Sequence, residues 1–271
     1  MRPKLIEIDE AVGLVRSGSS VALGGATMRR KPMALVRALA ASDAADLDLW
    51  TWIGSTDVDL LIGAGKVRSV NSAYVGFGAF GLAQTSRRAF ADGSVEFRDW
   101  SESSLVASFK AGASGLPVAL TRALAGTSLA DDLGAERVDL PFGGEGLHAV
   151  PAARPDFALI HAQSADELGN VRRRRPNRSD DIDHVIAASA RALIVSVEEI
   201  EETEAIFENR DETLIPGHYV SAVVHAPGGA LPTGCDGFYD PDLAQLAAYA
   251  EASRTPEGIS AFVADLRGAR A

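Results

Sequence analysis

Short apolar runs alternate along the chain with stretches whose apolar residues recur every three to four positions. The runs, at residues 21–23, 47–52, 70–74, 95–99, 118–120, 157–161, 192–197 and 220–225, are short enough to be buried strands. The periodic stretches predict helices over 9–16, 32–41, 58–64, 85–91, 103–114 and 180–190. Two more helices, over 240–253 and 256–267, close the chain. Strands alternating with helices of this length predict an α/β fold: an open, mainly parallel sheet with helices on both faces. The segment 126–155, rich in Gly, Asp and Pro, breaks the alternation and reads as a long loop crossing the sheet.

The most informative stretch is VALGGATMRRKPMALVRALA, residues 21–40. It reads as a buried strand, a Gly24-Gly25 turn, a basic loop of Arg29, Arg30 and Lys31, and a helix opening at Pro32. Glycines at a strand end let the backbone turn tightly and approach a ligand. A helix N-terminus flanked by cations favours an anion. The local chemistry fits equally a plain strand-to-helix connection with a solvated basic loop. Neither a G-x-G-x-x-G fingerprint nor a Gly-Lys-Ser/Thr phosphate loop is present in it.

Composition narrows the partners. With 271 residues, 46% hydrophobic and 23% charged, the chain fits one domain over 1–271 with a full core. A net charge of −11 disfavours nucleic acid. The opening MRPKLIEIDEAVGLVRSG lacks the apolar run of a signal peptide, and no window is long and apolar enough for a membrane span. The single cysteine, Cys235, excludes an internal disulfide and points to a reducing cytoplasm. No His or Cys pair has metal-ligand spacing, so no metal is expected.

Several segments carry a family resemblance: GGATMRRKPMALVRAL at 24–39, LIGAGKV at 61–67, VNSAYVGFG at 70–78, ASGLPVALTRALAGTSL at 113–129 and PDFALIHAQSADELGNV at 155–171. They are supported by IVSVEEI at 194–200 and VVHAPGGALPTGCDGFYDPD at 223–242. In this order they resemble the A (alpha) subunit of two-subunit family I coenzyme A transferases, especially the glutaconate CoA-transferase group. The resemblance implies a NagB/RpiA/CoA-transferase-like fold and a partner beta subunit, in an α2β2 heterotetramer. It implies acyl-CoA and carboxylate substrates, with the coenzyme A thioester as substrate and no tightly bound cofactor. CoA moves in this family through a glutamyl-CoA thioester, and the resemblance places that glutamate on the beta subunit.

Candidate site residues follow. Gly24, Gly25 and Gly78 are candidates for the wall that holds the acyl group, each equally readable as a turn glycine. Glu102, in EFRDWSESSL, falls between a strand and a helix, where sites in parallel sheets collect. Its position resembles a glutamate of the alpha subunit of the cholesterol ring-cleaving CoA hydrolase, where it is the expected general base. Ser101 or Ser103 with Glu102 also reads as simple dressing of a helix N-terminus. Arg122 is placed to fork onto a substrate carboxylate or to pair within the fold. The run Arg172 to Arg175 with Arg178 reads as a contact for CoA phosphates, or as a solvated or subunit-facing loop offsetting Asp180, Asp181 and Asp183. His161 reads as a hydrogen-bonded core histidine and Cys235 as a loop residue without catalytic partners. Three functions remain open: the alpha chain of a CoA-transferase, a ring-cleaving CoA-thioester hydrolase chain with Glu102 as base, and a non-catalytic CoA-ester-binding protein.

Overall fold

In the computed structural model, which describes residues 2–139, 146–173 and 182–268, the apolar runs become strands. These are β1 (Ser20–Ala26), β2 (Leu47–Ile53), β3 (Val67–Ser72), β4 (Glu96–Asp99), β5 (Val118–Thr121) and β6 (Glu136–Val138). They continue with β7 (Leu147–Pro151), β8 (Phe157–Ala165), β9 (Val171–Arg172), β10 (Ala192–Ile200), β11 (Thr213–Ile215) and β12 (Val220–His225). The helices are α1 (Ile8–Gly13), α2 (Met33–Ala41), α3 (Thr56–Gly63), α4 (Gln84–Ala91) and α5 (Glu102–Ala113). After them come α6 (Leu129–Asp132), α7 (Asp183–Ser189), α8 (Thr203–Glu208), α9 (Leu243–Ala252) and α10 (Pro256–Gly268).

Among the described residues, parallel pairing runs in the order β12-β10-β8-β1-β2-β3-β4. The short β9 and β11 add antiparallel pairs at the end of β8. Central strands bury both faces, as a parallel sheet requires: Val21, Leu23 and Leu159 pack to one side, Ala22, Ala158 and Ile160 to the other. The first face is covered by α1, α2, α3, α9 and α10, contributing Leu35, Leu60, Tyr249 and Ile259. The second is covered by α5 and α7 through Leu105, Phe109, Val185 and Ile186. Trp50 on β2 meets Trp100 and Phe109 there, at ring separations of 5.8 and 6.2 Å.

Two expectations are corrected. Residues 118–120 do not join the parallel sheet; β5 lies in a separate antiparallel sheet, β5-β7-β6. Its exposure alternates residue by residue, so only one face is buried, and a three-residue apolar run did not reveal that. The segment 126–155 is not a plain loop, since it holds α6, β6 and β7, with residues 140–145 outside the described residues. The turn after β8 matches its sequence signal: Gly169 has φ +86°, and Asp166 accepts from the Leu168 and Asn170 N–H groups at 3.0 and 2.8 Å.

Candidate functional site

β1 and β8 are neighbours, yet from β1 the chain runs outward through β2, β3 and β4, then resumes at β8 and runs the other way through β10 and β12. Ligands of such sheets lie beyond the carboxyl ends of the strands, at this reversal. Here the 27–34 segment that follows β1 docks on the 226–240 segment after β12. The Arg30 N–H donates to the Gly234 carbonyl, the Gly234 N–H to the Met28 carbonyl and the Ala34 N–H to the Gly229 carbonyl, each at 2.8 Å.

The basic loop is not solvated, and its cations are not free for an anion. Lys31 is fully buried, its Nζ 3.0 Å from the Asp57 carboxylate and 3.3 Å from the Gly24 and Gly25 carbonyls and the Thr51 hydroxyl. Arg30, also buried, reaches the Asp183 carboxylate at 3.3 Å. Arg29 stays partly exposed and pairs with Asp236. A buried cation demands a buried anion, and Asp57 and Asp183 supply it. Asp183 thus meets the basic loop from α7, taking the Gly25 N–H and the Arg30 guanidinium. Gly25 needs its hydrogen: at φ +71°, a Cβ would sit 2.5 Å from the Arg29 and Arg30 carbonyls. Its N–H already donates to Asp183 at 2.7 Å. A Cβ on Gly24 would press on the same carboxylate at 2.9 Å.

A second buried network lies midway along β8 and β10, where His161 and Ser196 are paired. His161 bridges Glu198, 2.8 Å from Nε2, and Ser196, 2.9 Å from Nδ1. A carboxylate only accepts, so Nε2 carries the proton and Nδ1 accepts from the Ser196 hydroxyl. Burial pulls the imidazole below its ordinary value and keeps it neutral, against the opposing pull of Glu198. Burial alone would raise Glu198, but hydrogen bonds from His161, the Tyr239 hydroxyl and the Gly228 N–H hold its carboxyl below the ordinary range. Cys235 approaches this cluster, and its thiol is pushed up to about 12 by burial and by the Glu198 charge. His161, Glu198 and Cys235 bring ligand atoms within 4.8 Å of one another. Glu198 already accepts from His161, the Tyr239 hydroxyl and the Gly228 N–H, so the group knits β8, β10 and the 226–240 segment together. The Ser-His-Glu order invites comparison with a hydrolytic triad, but both Ser196 and His161 are fully buried, so a substrate has no access.

The open chemistry lies at the β4–α5 corner. Ser101 caps α5, its hydroxyl accepting from the Ser104 N–H at 3.2 Å, and Glu102 is the exposed first residue of the helix. Glu102, Val106 and Lys110 recur every four residues and share one face of α5. With Ser103, Ala107 and Trp52 of β2 they line a cleft of about 330 Å³. Trp52 precedes Ile53, whose strand partner is Ala26 at the end of β1. A second cleft of about 440 Å³ lies on the other side of the corner, lined among others by Tyr74, Leu82, Arg87 and Asp99. Burial and the charge of Asp132 raise the Asp99 carboxyl. Gly78 has φ +58° in the turn that brings Leu82 to Gly76, beside this second cleft.

Arg122 is exposed and follows β5 of the small antiparallel sheet. Arg172 is occupied, pairing with Glu201 and Glu212 at 2.7 and 2.6 Å. Arg174, Arg175 and Arg178, like Asp180 and Asp181, lie outside the described residues. Sequence reasoning missed Trp52 and Lys110 beside Glu102. The spacing of Glu102, Val106 and Lys110 along one helix was the available signal.

The coenzyme A transferase family model matches residues 5–226. The A (alpha) chain of glutaconate CoA-transferase from Acidaminococcus fermentans is 34% identical, over 96% of this chain and 86% of the relative. The cholesterol ring-cleaving hydrolase IpdA subunit of Rhodococcus jostii is 35% identical, over 97% of this chain and 91% of the relative. The corresponding A-type chain of 3-oxoadipate CoA-transferase from Pseudomonas knackmussii is 34% identical, over 98% and 95%. The crystal structure of glutaconate coenzyme A-transferase from Acidaminococcus fermentans superposes with a TM-score of 0.91 at 33% identity, covering 97% of this chain and 88% of that one.

Proposed function

We infer the function of this chain from one premise: it belongs to the coenzyme A transferase family. It is the A-type subunit of a heteromeric CoA-transferase and takes a CoA thioester as substrate. A B-type subunit is its partner, and we assign the pair an α2β2 stoichiometry and a cytoplasmic home. Among the described residues no helix is long and apolar enough to cross a membrane.

The observation that carries the mechanism is a division of labour. This chain opens a cleft with a carboxylate at its mouth, Glu102, while its best-placed nucleophilic side chains, Ser196 and Cys235, are buried. We place the covalent nucleophile, as the family resemblance implies, on a glutamate of the partner subunit. Its carboxylate oxygen bonds to the thioester carbonyl carbon as the C–S bond breaks and CoA thiolate leaves. The thiolate attacks the enzyme side of the resulting anhydride, giving glutamyl-CoA and the free acid. An acceptor carboxylate repeats the steps in reverse. Every nucleophile enters as an anion, so the transfer consumes no general base. Glu102 and Lys110 line the acyl group's place as opposite charges, and Gly25 acts by shaping the turn at the end of β1. Gly78 flanks the neighbouring cleft, and Arg122, without a side-chain partner among the described residues, is free to meet a substrate carboxylate.

A second reading has its own support in the exposed Glu102 and in the 35% identity to the ring-cleaving hydrolase. There water is the nucleophile, and Glu102 takes its proton. Glu102→Gln in the two-subunit complex separates the readings. Transfer between an acyl-CoA and a free acid is expected to survive within about tenfold, since no proton is abstracted. A loss of about 10²–10⁴-fold in acid release, with the complex intact, would assign hydrolysis instead.

A further inference from the structure

On the opposite face of the sheet from α5, a cavity of about 170 Å³ opens between α2, α3, α9 and α10. Its floor is apolar and buried: Met33, Leu60 and Tyr249. Gln245 and Ala248, both exposed, stand at its mouth. One cation lines it. Arg37, half-buried on α2, gives one N–H to the Leu231 carbonyl at 2.7 Å, and no carboxylate pairs with it among the described residues. Burial pulls its guanidinium below the ordinary value, and the ionisable group acting on it is the Tyr239 phenol. Tyr239 is itself held protonated by burial and by its bond to Glu198, so it brings no negative charge. Of the two α3 carboxylates that act on Tyr249, Asp59 takes its hydrogen bonds from Ser86 and Tyr249, and Asp57 pairs with Lys31. Arg30 and Lys31 have their buried carboxylates, and Arg37 has none.

A half-buried guanidinium beside an apolar cavity offers an anion charge-assisted hydrogen bonds that water reaches only in part. An apolar cavity of roughly 150 Å³ holds a benzene-sized body. We propose that this cavity is a binding site for a short monocarboxylate of about six to nine non-hydrogen atoms, its carboxylate on Arg37 and its hydrocarbon body on Met33, Leu60 and Tyr249. The site is separate from the Glu102 cleft. A free acid bound there would brace α2, whose first turn carries the loop that follows Gly25.

Met33 is one of three methionines in the chain, which makes its methyl a local reporter. The test uses the two-subunit complex with ¹³C-methyl methionine, titrated with hexanoate and with hexanamide, its uncharged isostere. Hexanoate is expected to shift the Met33 resonance with a Kd of about 1 mM or tighter, and hexanamide at least about tenfold more weakly. Arg37→Met is expected to weaken hexanoate to the level of the amide. Ala248→Phe keeps Arg37, fills the mouth and is expected to abolish the shift. Equal binding of acid and amide, an unmoved Met33 resonance, or a shift that survives Ala248→Phe would each overturn the proposal. None of these readouts depends on turnover, so their failure is distinct from failure of the transferase reading.

Discussion

Two cations of the 29–31 triplet are held inside the protein by carboxylates of other helices. Arg30 and Lys31 stand in a basic triplet that resembles a surface loop, yet they are buried against Asp183 and Asp57. Those partners come from α7 and α3, far along the chain, so no local pattern joins them. Glu102 was legible, because a carboxylate between a strand and a helix belongs to the end of the sheet where ligands collect. His161 was legible as a core histidine but not as the hub that orders Ser196 and Glu198. That hub has a pH consequence. Burial lowers the His161 value below 6.5, so on acidification the unfolded chain takes up a proton that the folded one refuses. Its contribution is present above the unfolded value and is lost as pH falls toward the folded one, at no more than about 1.4 kcal/mol per pH unit. His161→Gln removes this titration. Urea midpoints at pH 7 and pH 5.5 should therefore fall more steeply in the wild type than in the variant; parallel slopes would contradict the buried neutral imidazole.

At the scale of elements, the alternation of apolar runs and amphipathic stretches fixed all seven parallel strands and their helices to within a few residues. Burial on both faces leaves a continuous apolar run that is easily read. The small sheet escaped because β5 buries one face only, and its partners lie in a segment rich in Gly and Asp. The two- and three-residue β9 and β11 are too short to carry a pattern. The β1–α2 connection is the element on which most depends, since it docks on the 226–240 segment. Gly25→Ala should cost about 2 kcal/mol or more, because a positive φ and two backbone carbonyls oppose a side chain. Thermal unfolding of the variant measures it, and an unchanged midpoint would mean that the loop adapts freely.

For the whole molecule, the sheet reversal, the Glu102 cleft and the full-length match to A-type chains describe half of an enzyme. This chain supplies a shaped cleft with Glu102, Lys110 and Trp52 on its walls, and its internal polar networks are consumed in holding that shape. We propose that the bond-making carboxylate belongs to the partner, a reading implied by the family resemblance and consistent with the burial of Ser196 and Cys235. The most direct test is intact-mass measurement of both subunits after the complex meets an acyl-CoA and is trapped with borohydride or hydroxylamine. The mass change should appear on the B-type subunit, with this chain unmodified; a modification on this chain, at Glu102 or elsewhere, would contradict it.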